Sequence, residues 1–436
     1  MIKPSFLKNK VAANAGWLIG EKIAQMVLSL FVGVLSARYL GPSNFGLINY
    51  ATSLISFFMA FCTLGINSVI VKEFIDKPDE QGEALGSSIA LRLFSSFLSA
   101  MMVILISFIV DYGEWETIAV VALSSISLLF HSFDTINRWF QAQYKSKITA
   151  ISAFIAYIAT AAYKIILLIL SKSVLWFAFA TSVEYIALAV FLLIAYKKHN
   201  GQRFSFSISK SKSILSRSYH YILSGLMVSL YGQTDKFMLK HMLNETEVGY
   251  YATATTLCAV WTFILTAIID ALYPEIVEAF NKDKKLFDKR NRQLYAIVFY
   301  VSAFVSLCFM ALGGLAIRIL YGAEFIPATE PLKIVTWYTA FSYLGVARNA
   351  WMVCNNMQKY LKYMYIPAII INVVINYFMI PIMGASGAAL ASLITQICTS
   401  VILPLCIKDL RPNATLMLEA IVLKDVLPKR NKLNKS

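Results

Sequence analysis

Residues 37–54, ARYLGPSNFGLINYATSL, are matched 203 positions further on by residues 240–257, KHMLNETEVGYYATATTL. Five of the eighteen paired positions are identical: Leu40/Leu243, Gly46/Gly249, Ala51/Ala254, Thr52/Thr255 and Leu54/Leu257. Each segment joins two long apolar runs, the first and second of its half. The chain therefore reads as one module written twice.

Working outward, the apolar runs set the class. The chain has 436 residues, of which 58% are hydrophobic and 14% charged, against about 25% charged in a soluble domain. A helix needs about 20 apolar residues to cross about 30 Å of hydrocarbon. Runs of that length occur about twelve times, six between 15 and 195 and six between 219 and 407. They are continuous, whereas barrel strands alternate over about ten residues. The expected fold is an all-α integral membrane protein with about twelve transmembrane helices in two six-helix bundles. Its divisions are an N-terminal bundle over 1–196, a basic linker over 197–217, a C-terminal bundle over 218–408 and an amphipathic, basic tail over 409–436. An even number of spans per half makes the repeat parallel, with a cavity expected between the bundles.

The net charge of +15 is decided by where it sits. With the N-terminus inside, 29 Lys and Arg residues fall in the loops and termini of one side. Only Arg38, Lys172, Lys236, Lys240, Arg318 and Lys333 fall on the other. That asymmetry is the positive-inside pattern. It predicts both termini and the linker in the cytoplasm and argues against nucleic acid. The basic runs 197–217 and 282–292 also suit anionic lipid. Met1 to Lys10 leads straight into a full-length span, so no cleaved signal is expected. The six cysteines have no CxxC spacing and point to neither disulfides nor a metal.

Four stretches carry a family likeness. They are ARYLGPSNFGLINYATSL, the Gln233-x-Asp235-Lys236 segment, LYGAEFIPATEPLKIV from Leu320 and INVVINYFMIPIMGASGAALASLITQ from Ile371. Together with the twelve spans and short outer loops, they resemble oligosaccharide flippases of the polysaccharide transporter family. That family belongs to the multidrug/oligosaccharidyl-lipid/polysaccharide exporter (MOP) superfamily. The resemblance implies a MATE-like pair of bundles in a bacterial inner membrane. It also implies alternating-access transfer of an undecaprenyl-pyrophosphate-linked oligosaccharide, such as an O-antigen unit, to the periplasmic leaflet. Implied partners are the lipid-linked oligosaccharide, membrane lipids, a coupling H⁺ or Na⁺, and polysaccharide polymerase and chain-length proteins of the same pathway. No cofactor is implied.

Such cargo needs a polar, cationic lane through hydrocarbon, because a diphosphate and sugar hydroxyls are costly to strand there. A charge at the bilayer centre costs roughly 2.5 to 3.5 kcal/mol even on the lenient insertion scale, so intramembrane charges are the first candidates. Four basic residues belong to no loop: Lys22, Arg92, Lys164 and Arg348. Guanidinium grips phosphate bidentately and ammonium acts as a point charge, which ranks Arg92 and Arg348 ahead of Lys164 and Lys22 for the diphosphate. Coupling or cavity-polar candidates are Glu21, His131, Asp134, Arg138, Asp235 and Asp270. Ser124, Ser127, His131, Asp134, Arg138 and Gln141 follow helical steps of three and four and are expected on one stripe. Asn372 and Asn376 repeat the pattern in the eleventh span. Interhelical hydrogen bonding is the plainer explanation for the neutral members. The repeat fails at two telling places: Glu21-Lys22 corresponds to Ser224-Gly225, and Arg92 to Tyr295.

No P-loop, metal-ligand cluster or catalytic constellation is present in the sequence, so the expectation is a transporter and not an enzyme. Two alternatives carry their own signatures. A MATE-like exporter of cationic drugs would line its cavity with acids and aromatics. A polytopic polysaccharide polymerase or ligase would need a sizeable outer loop, and the predicted outer loops are short. A short amphipathic helix over 413–427, followed by basic residues, reads as an interfacial anchor.

Overall fold

A computed structural model describes residues 4–424, and the basic end of the tail lies outside them. The regular structure of the described residues is all helical. Its first part holds α1 (Pro4–Thr63), α2 (Asn67–Asp76), α3 (Gln81–Val110), α4 (Trp115–His131), α5 (Thr135–Ala142), α6 (Ser146–Ile169), α7 (Val174–Ala178) and α8 (Ala180–Lys198). The second part follows with α9 (Ile208–Met242), α10 (Glu245–Lys282), α11 (Lys284–Leu320), α12 (Thr329–Cys354), α13 (Lys362–Met383), α14 (Ala385–Ile397), α15 (Leu403–Cys406) and α16 (Arg411–Ile421). Helices satisfy every backbone group within the segment, which is what hydrocarbon demands. Among the described residues nine helical stretches are long and apolar enough to cross a membrane, and the first, Gly20–Asp76, runs for 57 residues. The more polar α9 and α12 complete the expected apolar runs.

The repeated segment proves to be a helix junction in both copies. In the first, Gly41 takes φ 71 and ψ 171 inside α1 and is followed by Pro42. Only glycine adopts that backbone cheaply, and proline suits the first position of the next helix. In the second, the paired position is Asn244. Its side-chain oxygen accepts from Glu247 N at 3.1 Å and caps α10, with Glu245 and Glu247 in the first turn. Different residues thus turn the chain at equivalent points, which is why identity there is low.

The chain divides into two compact units, Met1–Gln233 and Thr234–Ser436. Unit 1 has an apolar core that includes Ile66, Ile70, Phe74, Leu85 and Phe140, and buried polar groups are packed among such residues. On α3, Ser88, Arg92, Ser96, Ser99 and Ser107 are buried, while Phe94, Phe97, Met101, Leu105 and Ile109 are more than half exposed. Ser96 bonds Ser132 across helices at 3.1 Å, and Ser95 donates to Phe61 O at 2.8 Å. Such bonds are worth only about 0.6 kcal/mol each in a bilayer, but unpaired they would be costly. In unit 2, α10, α12 and α14 pack together, and α16 lies on α11.

The stretch after α8 does not hang free. Gln202 to Ser207 runs along the start of α3: Gly82 N donates to Gln202 Oε1 at 2.7 Å, Ser207 N to Ser87 Oγ at 3.0 Å, and Tyr196 OH to Gln202 O at 2.7 Å. Lys210, at the start of α9, pairs with Glu73 at 3.0 Å and with Glu80, and Arg217 reaches Glu73 at 2.7 Å. Burial alone would push the Lys210 ammonium down, but the two carboxylates outweigh it and hold it above its ordinary value. A raised lysine contributes at neutral pH and loses its contribution only as pH rises through its folded value. A Cβ on Gly86 would sit 2.3 Å from Ser205 O, and overpacking of this kind costs typically 1–3 kcal/mol. Gly86→Ala is therefore expected to lift this segment and raise proteolytic cleavage within 199–207 by about tenfold. An unchanged cleavage rate would show that α3 can shift to make room.

Helix α16 overlaps the stretch 413–427 expected to form an interfacial anchor, and its apolar face packs inside the unit. Ala414, Leu416, Met417 and Ala420 are buried, Arg292 bonds Glu419 at 2.9 Å, and Tyr300 OH donates to Ile421 O at 2.7 Å. The face is spent on α11.

Candidate functional site

Arg92 is the most deeply held charge in unit 1, with no exposed surface. Its Nη1 donates to Thr135 Oγ1 at 2.8 Å and to Asn67 Oδ1 at 3.4 Å. Its Nη2 reaches His131 Nδ1 at 2.9 Å and His131 O at 3.0 Å. These partners sit where helices break. Asn67 opens α2 after a left-handed residue at Leu64, and His131 ends α4 before the 3-10 turn Ser132–Asp134. The guanidinium supplies donors to backbone and side chains freed at those breaks. The polar stripe expected along one continuous helix is interrupted at this turn. Asp134 and Arg138 approach to 3.8 Å as an i,i+4 pair, and Ser124 is buried and bonds Ala178 O.

A second group in unit 1 is less committed. Lys22 is exposed on α1 and Glu21 is half-buried; Lys22 Nζ reaches Gln25 Oε1 at 3.4 Å. Lys164 on α6 and Glu184 on α8 are half-buried, and Glu184 lies within electrostatic reach of both lysines. Tyr157 and Ser29 are within hydrogen-bonding reach of each other in the same neighbourhood. Both lysine side chains keep part of their surface open. Helix α1 brings Glu21 and Lys22, while α6 and α8 bring Lys164 and Glu184, residues more than 140 positions apart.

Unit 2 holds a different node. Asp235 on α9 is 6% exposed, and its carboxylate accepts four hydrogen bonds. Tyr251 OH donates at 2.5 Å, Asn372 Nδ2 at 3.1 Å, Asn376 Nδ2 at 2.7 Å and Ser392 OH at 2.5 Å. Each carboxylate oxygen takes two of the four donors. The remaining oxygen of the cluster, Asn376 Oδ1, is buried without a hydrogen-bond partner among the described residues. Four helices, α9, α10, α13 and α14, converge on this one charge.

Residues 11–280 match the family described as "Polysaccharide biosynthesis protein". The chain belongs to that family. It is similar to "Putative O-antigen transporter" of Escherichia coli (strain K12), with 21% identity over 273 residues, covering 62% of this chain and 65% of that protein. The chain thus spans just under two thirds of that relative's length. Solved structures extend the likeness over the fold. The lipid II flippase MurJ in an inward closed conformation superposes with a TM-score of 0.71 and 16% identity, over 94% of this chain and 92% of that one. An inward-facing multidrug-resistance MATE family transporter of the MOP superfamily gives 0.63 and 15%, over 92% and 95%. The fold is that of MOP-superfamily transporters.

In this polysaccharide biosynthesis family protein the other expected site residues lie apart. Arg348 on α12 is 5% exposed, and its Nη1 donates to the carbonyls of Thr399 at 3.1 Å and Ser400 at 3.4 Å. Both belong to a π-helical turn, Cys398–Ile402, whose wider spacing loosens main-chain acceptors. Asp270 is exposed on α10. Tyr295, the repeat partner of Arg92, is likewise a fully buried polar node: Asn413 Nδ2 donates to its hydroxyl at 2.6 Å. Sequence reading proposed Asp235, Asn372 and Asn376 separately. It did not single out Tyr251 or Ser392, and nothing local marks them, since Ser392 lies 157 positions from its partner.

Proposed function

We propose that the protein carries an undecaprenyl-pyrophosphate-linked oligosaccharide, an O-antigen or related surface polysaccharide repeat unit, from the cytoplasmic to the periplasmic leaflet of a bacterial inner membrane. Transfer is by alternating access and is coupled to an ion. Family membership and the MOP fold favour a transported lipid-linked saccharide. The observation that carries the reading is the group Lys22, Lys164 and Glu184 in unit 1. A diphosphate in transit must be gripped and released. Lys22 and Lys164 retain accessible surface for that purpose, and Glu184 offers a resting counter-charge the cargo can displace. Arg92 and Arg348 are worse placed in this conformation, because their donors already serve protein acceptors.

Charged hydrogen bonds are worth about 1.5–3 kcal/mol, so loss of both ammonium groups is expected to slow transfer about tenfold or more. The measurement is the fraction of lipid-linked oligosaccharide retained on the cytoplasmic leaflet in cells producing Lys22→Ala/Lys164→Ala at normal protein level. Arginine at both positions should keep most activity. Full translocation by the double alanine variant would end the assignment.

The coupling ion is best accommodated at Asp235. One carboxylate balances one monovalent charge, and Asn372, Asn376, Ser392 and Tyr251 surround it with neutral oxygens, the donor type hard cations take. Rotating an amide exchanges its NH2 for its oxygen at nearly the same point. Asn376 Oδ1, unpaired as it stands, is the first oxygen such an ion would use. Na⁺ fits this set, with one carboxylate charge and several neutral oxygens around it.

A further inference from the structure

We infer that the cavity between the end of α11 and the start of α12 is a binding site for the phosphodiester headgroup of a membrane phospholipid, anchored by Arg318. This site is independent of the transport reading. The cavity has a volume of about 600 Å³ and is lined by Gly314, Leu315, Arg318, Ile326, Thr329 and Glu330, among others. Arg318 belongs to the small set of basic residues that the charge pattern puts opposite the basic loops, and the rest of that set is engaged. Lys333 pairs with Glu330 at 2.7 Å, Lys240 with Glu245 at 2.7 Å, and Lys172 lies over the Trp176 ring at 5.9 Å. Arg38 and Lys236 make contacts of their own. Among the described residues Arg318 has no ion pair or hydrogen-bond partner, and it is exposed.

A second observation concerns another residue of the same lining, Thr329. The Thr329 hydroxyl is shielded from solvent and has no hydrogen-bond partner among the described residues. A buried unpaired hydroxyl is costly, and a phosphate oxygen held by Arg318 would satisfy it. Glu330, the one acid in the lining, is already neutralised by Lys333. Apolar surface flanks the polar end, with Leu315 57%, Ile319 62% and Ile326 45% exposed. A free anion has no use for such flanks; an acyl chain does. Guanidinium at a helix end, reaching from apolar surface toward the headgroup layer, is the usual means of gripping a lipid phosphate.

The test uses the full-length protein, stripped of lipid and titrated by native mass spectrometry. The two probes are phosphatidylglycerol and diacylglycerol with the same acyl chains. Arg318→Gln is expected to weaken the tightest phosphatidylglycerol site about tenfold, Thr329→Val by about two- to fivefold, and Arg318→Lys by an intermediate amount. Diacylglycerol should bind more weakly to the parent protein and equally to all variants. The inference is overturned if Arg318→Gln and Thr329→Val bind phosphatidylglycerol like the parent, or if diacylglycerol binds the parent as tightly. Inorganic phosphate should not compete; displacement by it would make this a free-anion site and remove the lipid. Should Arg318→Gln fail to purify as a single species, Thr329→Val decides the matter alone.

Discussion

Asp235→Asn is expected to abolish transfer, by at least about a hundredfold, and to erase any effect of Na⁺ on the stability of the protein. The carboxylate presents two acceptor oxygens to four donors. Asparagine presents one oxygen and turns an NH2 toward groups that are themselves donating. Each buried donor left unpaired costs about 1–3 kcal/mol, so some loss of melting temperature is expected in any medium. The diagnostic quantity is linkage. A ligand that binds only the folded state raises stability by RT ln(1 + [L]/Kd), so the parent should melt higher in NaCl than in choline chloride. Asp235→Asn should melt at the same temperature in both, and Asp235→Glu should keep a reduced response. An equal Na⁺ response in parent and Asp235→Asn would move the ion elsewhere, whatever transfer does. Asn376→Ala, which removes the unpaired oxygen, should weaken the Na⁺ response without removing the charge.

Arg92→Ala is expected to fail differently, by loss of the folded protein and not by loss of transfer alone. The side chain is fully buried and joins Asn67, His131 and Thr135 across two helix breaks. Truncation strands several of these groups and leaves a cavity, which sums to about 3 kcal/mol or more. The measurement is the yield of monodisperse protein and its melting midpoint in detergent. Arg92→Lys should recover only part, because one ammonium cannot reach acceptors on both sides of a planar fork. A stable Arg92→Ala protein that binds no lipid-linked oligosaccharide would instead make Arg92 a cargo contact. The double lysine variant of unit 1 should show the reverse phenotype, with normal melting and impaired transfer.

These contrasts mark what was readable along the chain. The doubled loop, the apolar runs and the charge asymmetry pointed to an all-helical membrane fold because each is a local or summed property. The rarity of intramembrane charges also brought Lys22, Arg92, Lys164, Asp235 and Arg348 forward. Their ranking was not readable. Arginine was favoured for the diphosphate on the chemistry of its fork, yet that same fork suits it to hold broken helices together. Which use prevails depends on neighbours such as His131 O and Thr399 O, which are backbone atoms and leave no mark in sequence. The stripe through His131, Asp134 and Arg138 was drawn on an unbroken helix; the turn at Ser132–Asp134 bends that register.

By itself the sequence determined the solvent of this protein, its helical class and its repeat, since hydrocarbon forces apolar helices of a set length. Tertiary structure alone decided which face of each helix is inside. In a bilayer the outside is as apolar as the interior, so amphipathic periodicity cannot separate them, and α3 buries its serines while showing phenylalanines to lipid. Only packing could bring Asp235, Tyr251, Asn372, Asn376 and Ser392 from four helices onto one carboxylate. The physical reason is that such a site is stabilised by partners distant in sequence, each unremarkable in its own helix.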